Sequence, residues 1–177
     1  MEKPRVTCLL LAGGAGTRFG SSTKFLREVC GEPIALRLLH QLESVCKYVV
    51  VAISHRTIKA ARALCESPST LCVEFPGTDY VSDLNLALRI LPKPILTVAA
   101  DIVARDGVIQ RFLEDSLSKN VDVVTAVVVS HNKLPNPVGL ALFNSEGGSW
   151  ADVNLGGGAV LDVDTEEDLE SAGRICE

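Results

Sequence analysis

The chain has 177 residues, of which 47% are hydrophobic and 22% charged, with a formal net charge of −5. This is the composition of a globular domain with a sizeable core, not of a disordered chain. The acidic balance argues against nucleic-acid binding as the main function, and no apolar run is long enough to cross a bilayer.

In chain order, Val6 to Ala12 is a continuous apolar run and reads as a central parallel strand. It leads straight into a glycine-rich loop, with no signal-cleavage pattern, which points to a cytoplasmic protein. Phe25 to Pro33 reads as a short extended stretch and turn. Ile34 to Ser44 reads as a helix with Ile34, Leu38, Leu39 and Leu42 on one face. Tyr48 to Ile53 is a valine-rich buried strand. Thr57 is placed to cap a helix running to about Cys65, with Ile58, Ala61 and Leu64 inward.

Leu71 to Phe75 reads as a short strand and Pro76 to Asp79 as a turn. Ser82 is expected to cap a helix from Asp83 to about Leu91, which Pro92 and Pro94 stop. Ile95 to Ala100 is the next buried strand and ends on Asp101. A helix over Gly107 to Leu117 and a strand over Val121 to Val129 follow. Leu134 to Pro137 reads as a rigid loop, and Val138 to Phe143 as a strand antiparallel to the rest. Val160 to Val163 is a last short strand before an acid-started helix at Glu166. The alternation of strand and helix predicts one domain over residues 1–177. Its class is a three-layer α/β/α, Rossmann-like, mostly parallel sheet with one antiparallel strand.

The six cysteines are spread along the chain without a Cys-x-x-Cys pair. They read as small buried core residues rather than a zinc site. Cys65 and Cys72 flank a turn and are close enough to pair, but a cytosolic setting argues against a disulfide outside hyperthermophiles.

The chemistry concentrates at the loop Leu11-Ala12-Gly13-Gly14-Ala15-Gly16-Thr17-Arg18-Phe19-Gly20, closed by Lys24. Glycines let backbone N–H groups converge on phosphate oxygens, and Arg18 and Lys24 add fixed positive charge. The spacing is not that of a Rossmann fingerprint, whose third glycine would fall on Phe19. Nor is it a Walker A loop, since from Gly14 or Gly16 the second glycine would fall on Phe19 or Ser21. Asp101 ends a buried strand and needs a cationic partner, either a metal held with substrate phosphates or a cap at the following turn. Asp162 and Asp164 offer a second carboxylate, with Asp164 favoured because it lies at the strand end. Both ends face the crevice beyond the strands' carboxyl termini, where ligands of such sheets bind. The parts suit displacement of pyrophosphate from a triphosphate by an anionic oxygen, which needs no protein nucleophile. His40 reads as structural, and His55 at most as a pocket wall.

Leu10 to Lys24 resembles the signature loop of nucleotidyltransferases of the sugar-nucleotide and molybdenum-cofactor type. Several further segments are similar to the archaeal GTP:adenosylcobinamide-phosphate guanylyltransferases of cobalamin biosynthesis. These are Lys24-Phe25-Leu26 with Cys30-Gly31, Tyr80-Val81-Ser82-Asp83-Leu84-Asn85, Asp101, Pro135-Asn136-Pro137 and Asp164-Thr165-Glu166-Glu167-Asp168-Leu169. The resemblance implies the nucleotide-diphospho-sugar transferase type of fold, GTP and adenosylcobinamide phosphate as substrates, and adenosylcobinamide-GDP and pyrophosphate as products. It implies Arg18, Lys24 and Asp101 as catalytic residues. It implies nucleotide binding by Leu11, Ala12, Gly13, Gly14, Ala15, Gly16, Thr17, Arg18, Lys24, Tyr80, Asp83 and Asn85, and Mg2+ on Asp101 and Asp164. A homodimer is compatible with it.

Asp83 reads either as an acceptor for guanine N–H groups or as an ordinary first-turn helix acid. The family carries asparagine at the position of Asp164, which leaves the metal role there open. A molybdenum-cofactor or sugar-1-phosphate nucleotidyltransferase shares the loop and Asp101. A non-catalytic nucleotide-binding regulator fits less well, because Arg18, Lys24 and Asp101 are all present.

Overall fold

Seven strands pair into one sheet in the order β10-β8-β9-β6-β1-β4-β5, and β9 alone runs against the others. The computed structural model describes residues 5–14, 23–129 and 134–176. In chain order these hold β1 (Thr7–Leu11), a 3-10 turn (Lys24–Leu26), β2 (Glu28–Val29), β3 (Glu32–Pro33), α1 (Ile34–Val45) and β4 (Val49–Ile53). A 3-10 helix (Ala60–Cys65), β5 (Thr70–Glu74), α2 (Tyr80–Ile90), β6 (Ile95–Ala99), β7 (Ile102–Ala104) and α3 (Val108–Leu117) come next. β8 (Val123–Val129), β9 (Pro135–Phe143), β10 (Trp150–Asn154), β11 (Val160–Asp162) and α4 (Glu166–Ala172) complete the chain. The expected α/β architecture with a single antiparallel strand is therefore present. Among the described residues, no helix is long and apolar enough to cross a membrane.

Alternation along the strands divides the core in two. Cys8, Leu10, Val49, Val51, Leu96, Val98, Leu140 and Leu142 face α1 and α3 in the larger cluster, where Leu38, Leu42 and Phe112 are fully covered. Leu9, Leu11, Val50, Ala52 and Ile95 face the other way, against Ala87 and Leu88 of α2. The unbroken apolar runs of β1 and β4 follow from this covering on both faces. Among the described residues, α2 is the helix packed on the second face, and it covers the β6-β1-β4 side. The β9-β8-β10 side keeps half-buried Phe143, Val123 and Thr125, and an exposed Trp150.

Several local expectations are corrected. Thr57 does not cap a regular helix. It is fully buried, and its Oγ1 accepts from Ser54 N at 3.0 Å, so the chain turns before entering a 3-10 segment and leaves Ile58 44% exposed. α2 starts at Tyr80, because Asp79, not Ser82, is the cap and accepts from Ser82 N at 2.9 Å. Pro135 to Pro137 is not a loop. It opens β9, paired to Val127, Val128 and Val129.

β7 and β10 were not expected. β7 follows Asp101 so closely that it merges with β6 in sequence, and its partner β11 lies far along the chain. β10 carries Trp150, Asp152 and Asn154 on one face and lacks the apolar run of a buried strand.

The cysteines are also corrected. Cys8–Cys46 and Cys65–Cys72 are disulfides, with Cα separations of 6.1 Å and 5.7 Å. The first ties the end of α1 to β1, and the second ties the 3-10 helix to β5. Because the first closes a loop of 38 residues and the second one of 7, chain entropy gives about 4 kcal/mol against about 2.5 kcal/mol. Cys46→Ala is therefore expected to lower the melting temperature more than Cys72→Ala, and reductant should abolish the difference. Equal shifts in thermal melts would refute this ranking.

Candidate active site

Lys24 is positioned from below. The 3-10 turn that carries it buries Phe25 in the larger core, which fixes where the lysine stem leaves the protein. Its ammonium lies 2.5 Å from Asp101 Oδ2 and donates to Asp164 Oδ1 at 3.1 Å. Asp101 sits in the turn between β6 and β7. Its carbonyl accepts from Val163 N at 2.9 Å, and Asp162 pairs with Ile102 across β11-β7. These bonds stitch the chain's tail beside Asp101. Thr165 and Asp168 then form a reciprocal cap at the start of α4, with Asp168 also accepting from Asp164 N. Asp164 lies just beyond the strand, and Asp162 is the strand's last residue.

A cavity of about 400 Å3 opens beside this cluster. Tyr80, Ala99, Asp101, Asp162 and Asp164 line it together with Thr125, Pro137, Gly139, Ala141 and Phe143. Gly139 is at φ +48°, and a Cβ there would stand 2.8 Å from that of Ala99, so only glycine lets β9 approach so closely. Among the described residues, three carboxylates surround one ammonium. Burial lowers the Lys24 pKa, but its hydrogen bonds and charges with Asp101 and Asp164 outweigh that and raise it. Asp162 is pushed up to about 6, first by burial and then by Asp101 and Asp164. Tyr80 keeps 45% exposed surface, yet its phenol is pushed up to about 12 by burial at the cavity wall and by Asp101 and Asp162.

A second corner lies at the base of the glycine loop. Ala12 N donates to Ala52 O at 2.9 Å, which holds the loop's first residues at the ends of β1 and β4. Asp83 is only 5% exposed. Its Oδ1 accepts from Gly77 N at 3.1 Å, and its Oδ2 lies 3.4 Å from where a Gly13 Cβ would be. The carboxylate thus fastens the β5-α2 connection against Gly13. Gly77 has φ +67°, and a Cβ there would fall 2.5 Å from Ser54 Cβ.

Of the residues singled out in the sequence, Lys24, Asp101, Asp164 and Tyr80 come together at the cavity. Leu11, Ala12, Gly13 and Asp83 gather at the loop base. Gly14 is exposed, and Asn85 is exposed on α2 and is not among the described residues that line the cavity. Ala15, Gly16, Thr17 and Arg18 lie outside the described residues. His40 pairs with Glu32 at 2.8 Å, and His55 is exposed. Thr125, Gly139 and Phe143 were missed, because only the reversed pairing of β9 brings them beside Asp101.

The folded chain holds the Asp162 proton more tightly than an unfolded carboxyl, whose value is 3.8. Stability therefore declines as pH rises from about 4 to about 6. Asp162→Asn removes that decline, so its gain in melting temperature over the native chain should grow between pH 4 and pH 7. A constant difference would mean that Asp162 is not crowded by its neighbours. Gly77→Ala should lower the melting temperature, as read by thermal melts, because the added methyl collides with Ser54; an unchanged melt would show that the turn yields freely.

The model of the MobA-like NTP transferase domain matches residues 8–150. The adenosylcobinamide-phosphate guanylyltransferase of Methanocaldococcus jannaschii is 28% identical over 139 residues, covering 73% of this chain and 71% of that protein. Among solved structures, the inositol-1-phosphate CTP transferase of T. maritima superposes with a TM-score of 0.77 at 11% identity, over 99% of this chain and 96% of that one. The 4-diphosphocytidyl-2C-methyl-D-erythritol synthase of Anaerococcus prevotii gives 0.72 at 13% identity, over 98% of each chain. These two likenesses establish the nucleotide-diphospho-sugar transferase type of fold. Most of the chain is spanned by the matching domain model, so it belongs to the MobA-like NTP transferase family and is a nucleotidyltransferase.

Proposed function

We propose that the chain transfers GMP from GTP to adenosylcobinamide phosphate. The observation that carries the reading is the convergence of Lys24, Asp101 and Asp164 at the carboxyl end of β6, beside the loop that leaves β1. The choice of substrates is supported by the similarity to the guanylyltransferase of Methanocaldococcus jannaschii.

In the reaction, an oxygen of the acceptor's phosphate attacks the α-phosphorus of GTP. A new P–O bond forms, the bond from the α-phosphorus to the α,β-bridging oxygen breaks, and pyrophosphate leaves with that electron pair. The attacking oxygen is already anionic, so no strong base is required, and positioning and charge neutralisation do the work. The backbone from Leu11 through Thr17 holds the phosphates, with Arg18 and Lys24 supplying positive charge. Gly13, Gly77 and Asp83 shape the corner for the base.

The donor set fits Mg2+. Asp101 and Asp164 already converge on a single cationic nitrogen, and they are hard oxygen ligands of the kind that hold magnesium together with substrate phosphates. With Asp162 also close, one ammonium leaves the described cluster net negative, which a divalent ion would balance. Asp101 and Asp164 would hold it, and the bound ion would neutralise charge developing around the α-phosphate. Lys24 keeps the two carboxylates oriented toward that position.

Mixing the protein with GTP and adenosylcobinamide phosphate should release pyrophosphate, and replacing GTP with ATP or CTP should not. Turnover only with molybdopterin or a sugar phosphate would overturn the assignment. Lys24→Ala should lower kcat/KM by about 100-fold, the cost of removing one charge-stabilising donor. Unchanged kinetics in a folded variant would remove Lys24 from the site.

A further inference from the structure

Past Phe143 the cavity gives onto sheet that no described helix covers. Phe143, which lines the cavity, is in register with Val123, and Val123 with Trp150. Residues in register on neighbouring strands project from the same face. The row therefore runs Ile95, Phe143, Val123, Trp150 across β6, β9, β8 and β10. Cover falls along it. Ile95 is fully buried under α2, Phe143 and Val123 are half-buried, and Trp150 is 74% exposed. Phe143 joins this row to the cavity, so a molecule seated in the cavity can extend over it.

The charge of this strip limits what that is. β8, β9 and β10 contain no lysine, arginine or histidine. The next row pairs Ala141 with Thr125 and Thr125 with Asp152, which adds a hydroxyl and a carboxylate. The strip therefore cannot hold a phosphate or a polyanion. It suits a neutral, broad, apolar body whose rim carries N–H donors for Asp152 and Thr125. The anionic end of such a molecule would lie at Lys24. Two strand spacings separate Phe143 from Trp150, so the body must extend about 10 Å beyond the cavity.

We propose that the Phe143–Val123–Trp150 strip binds the ring body of the acceptor, with Trp150 as an acceptor-binding residue. This rests on the reading that the acceptor is a corrinoid phosphate. A sugar phosphate seated in the cavity would not reach Trp150.

The chain has a single tryptophan, so intrinsic fluorescence reports Trp150 alone. The test measures acrylamide quenching of its fluorescence lifetime in the full chain, with a GTP analogue that cannot be cleaved between the α- and β-phosphates. Adding adenosylcobinamide phosphate should lower the bimolecular quenching constant at least three-fold, while the analogue alone leaves it unchanged. In pyrophosphate-release assays, Trp150→Ala should raise the acceptor KM at least ten-fold, with kcat and the KM for GTP within two-fold and the melting temperature unchanged. Trp150→Phe should recover most of the loss.

Normal turnover with unaltered quenching, or an unaltered acceptor KM in Trp150→Ala, would overturn this placement while leaving the guanylyltransferase reading intact. No turnover with the corrinoid would overturn that reading and the placement with it. Quenching that falls with protein concentration in the absence of acceptor would show that a second copy covers the strip, and would also overturn the placement.

Discussion

One ion cluster holds three distant parts of the chain at a single point. Lys24 comes from the start of the chain, Asp101 from the middle of the sheet and Asp164 from the tail. Partly buried carboxylates on adjoining elements repel one another, and the fold can bring them together only around a cation. The remaining features of the site serve that requirement. Phe25 anchors the lysine turn, the β7-β11 pairing fastens the tail, and the cap on α4 fixes the backbone of Asp164. The raised pKa of Asp162 comes first from its burial and then from the repulsion of Asp101 and Asp164, which Lys24 offsets only in part.

The central sheet was legible wherever a strand is buried on both faces. β1, β4 and β6 read as apolar runs because no face of them meets water. Legibility failed where structure depends on a distant partner. β7 is three residues long and exists through its pairing with β11, which no local pattern announces, although β11 itself read as a short strand. Pro135 and Pro137 look like breakers of a strand, yet β9 accommodates them at its start, where the register against β8 is already shifted. The two disulfides could not be separated from buried thiols, since apolar surroundings suit both states.

At the site, the residue types were legible before their arrangement. Glycines followed by Lys24, and an aspartate closing an apolar strand, stand out in the sequence by residue type alone, and the fold brings Lys24 and Asp101 together. Asp83 is different. A carboxylate in the first turn of α2 can read a ligand or hold a loop, and the bond from Gly77 N shows that one of its oxygens holds a loop. Thr125, Gly139 and Phe143 carry no chemical signature of their own. They belong to the cavity because the sheet puts them there.

The reversal of β9 has a consequence for how the cavity wall is inherited. Tyr80, Ala99 and Asp101 come from the parallel half of the chain. Thr125, Gly139, Phe143, Asp162 and Asp164 all come from after the turn at Asp101. The lining is thus encoded by two consecutive stretches that meet at Asp101. Substitutions in the later stretch can reshape its share of the lining while the strands beneath the glycine loop keep their packing. A fold divided in this way can change what it accepts without rebuilding what it holds by the phosphates.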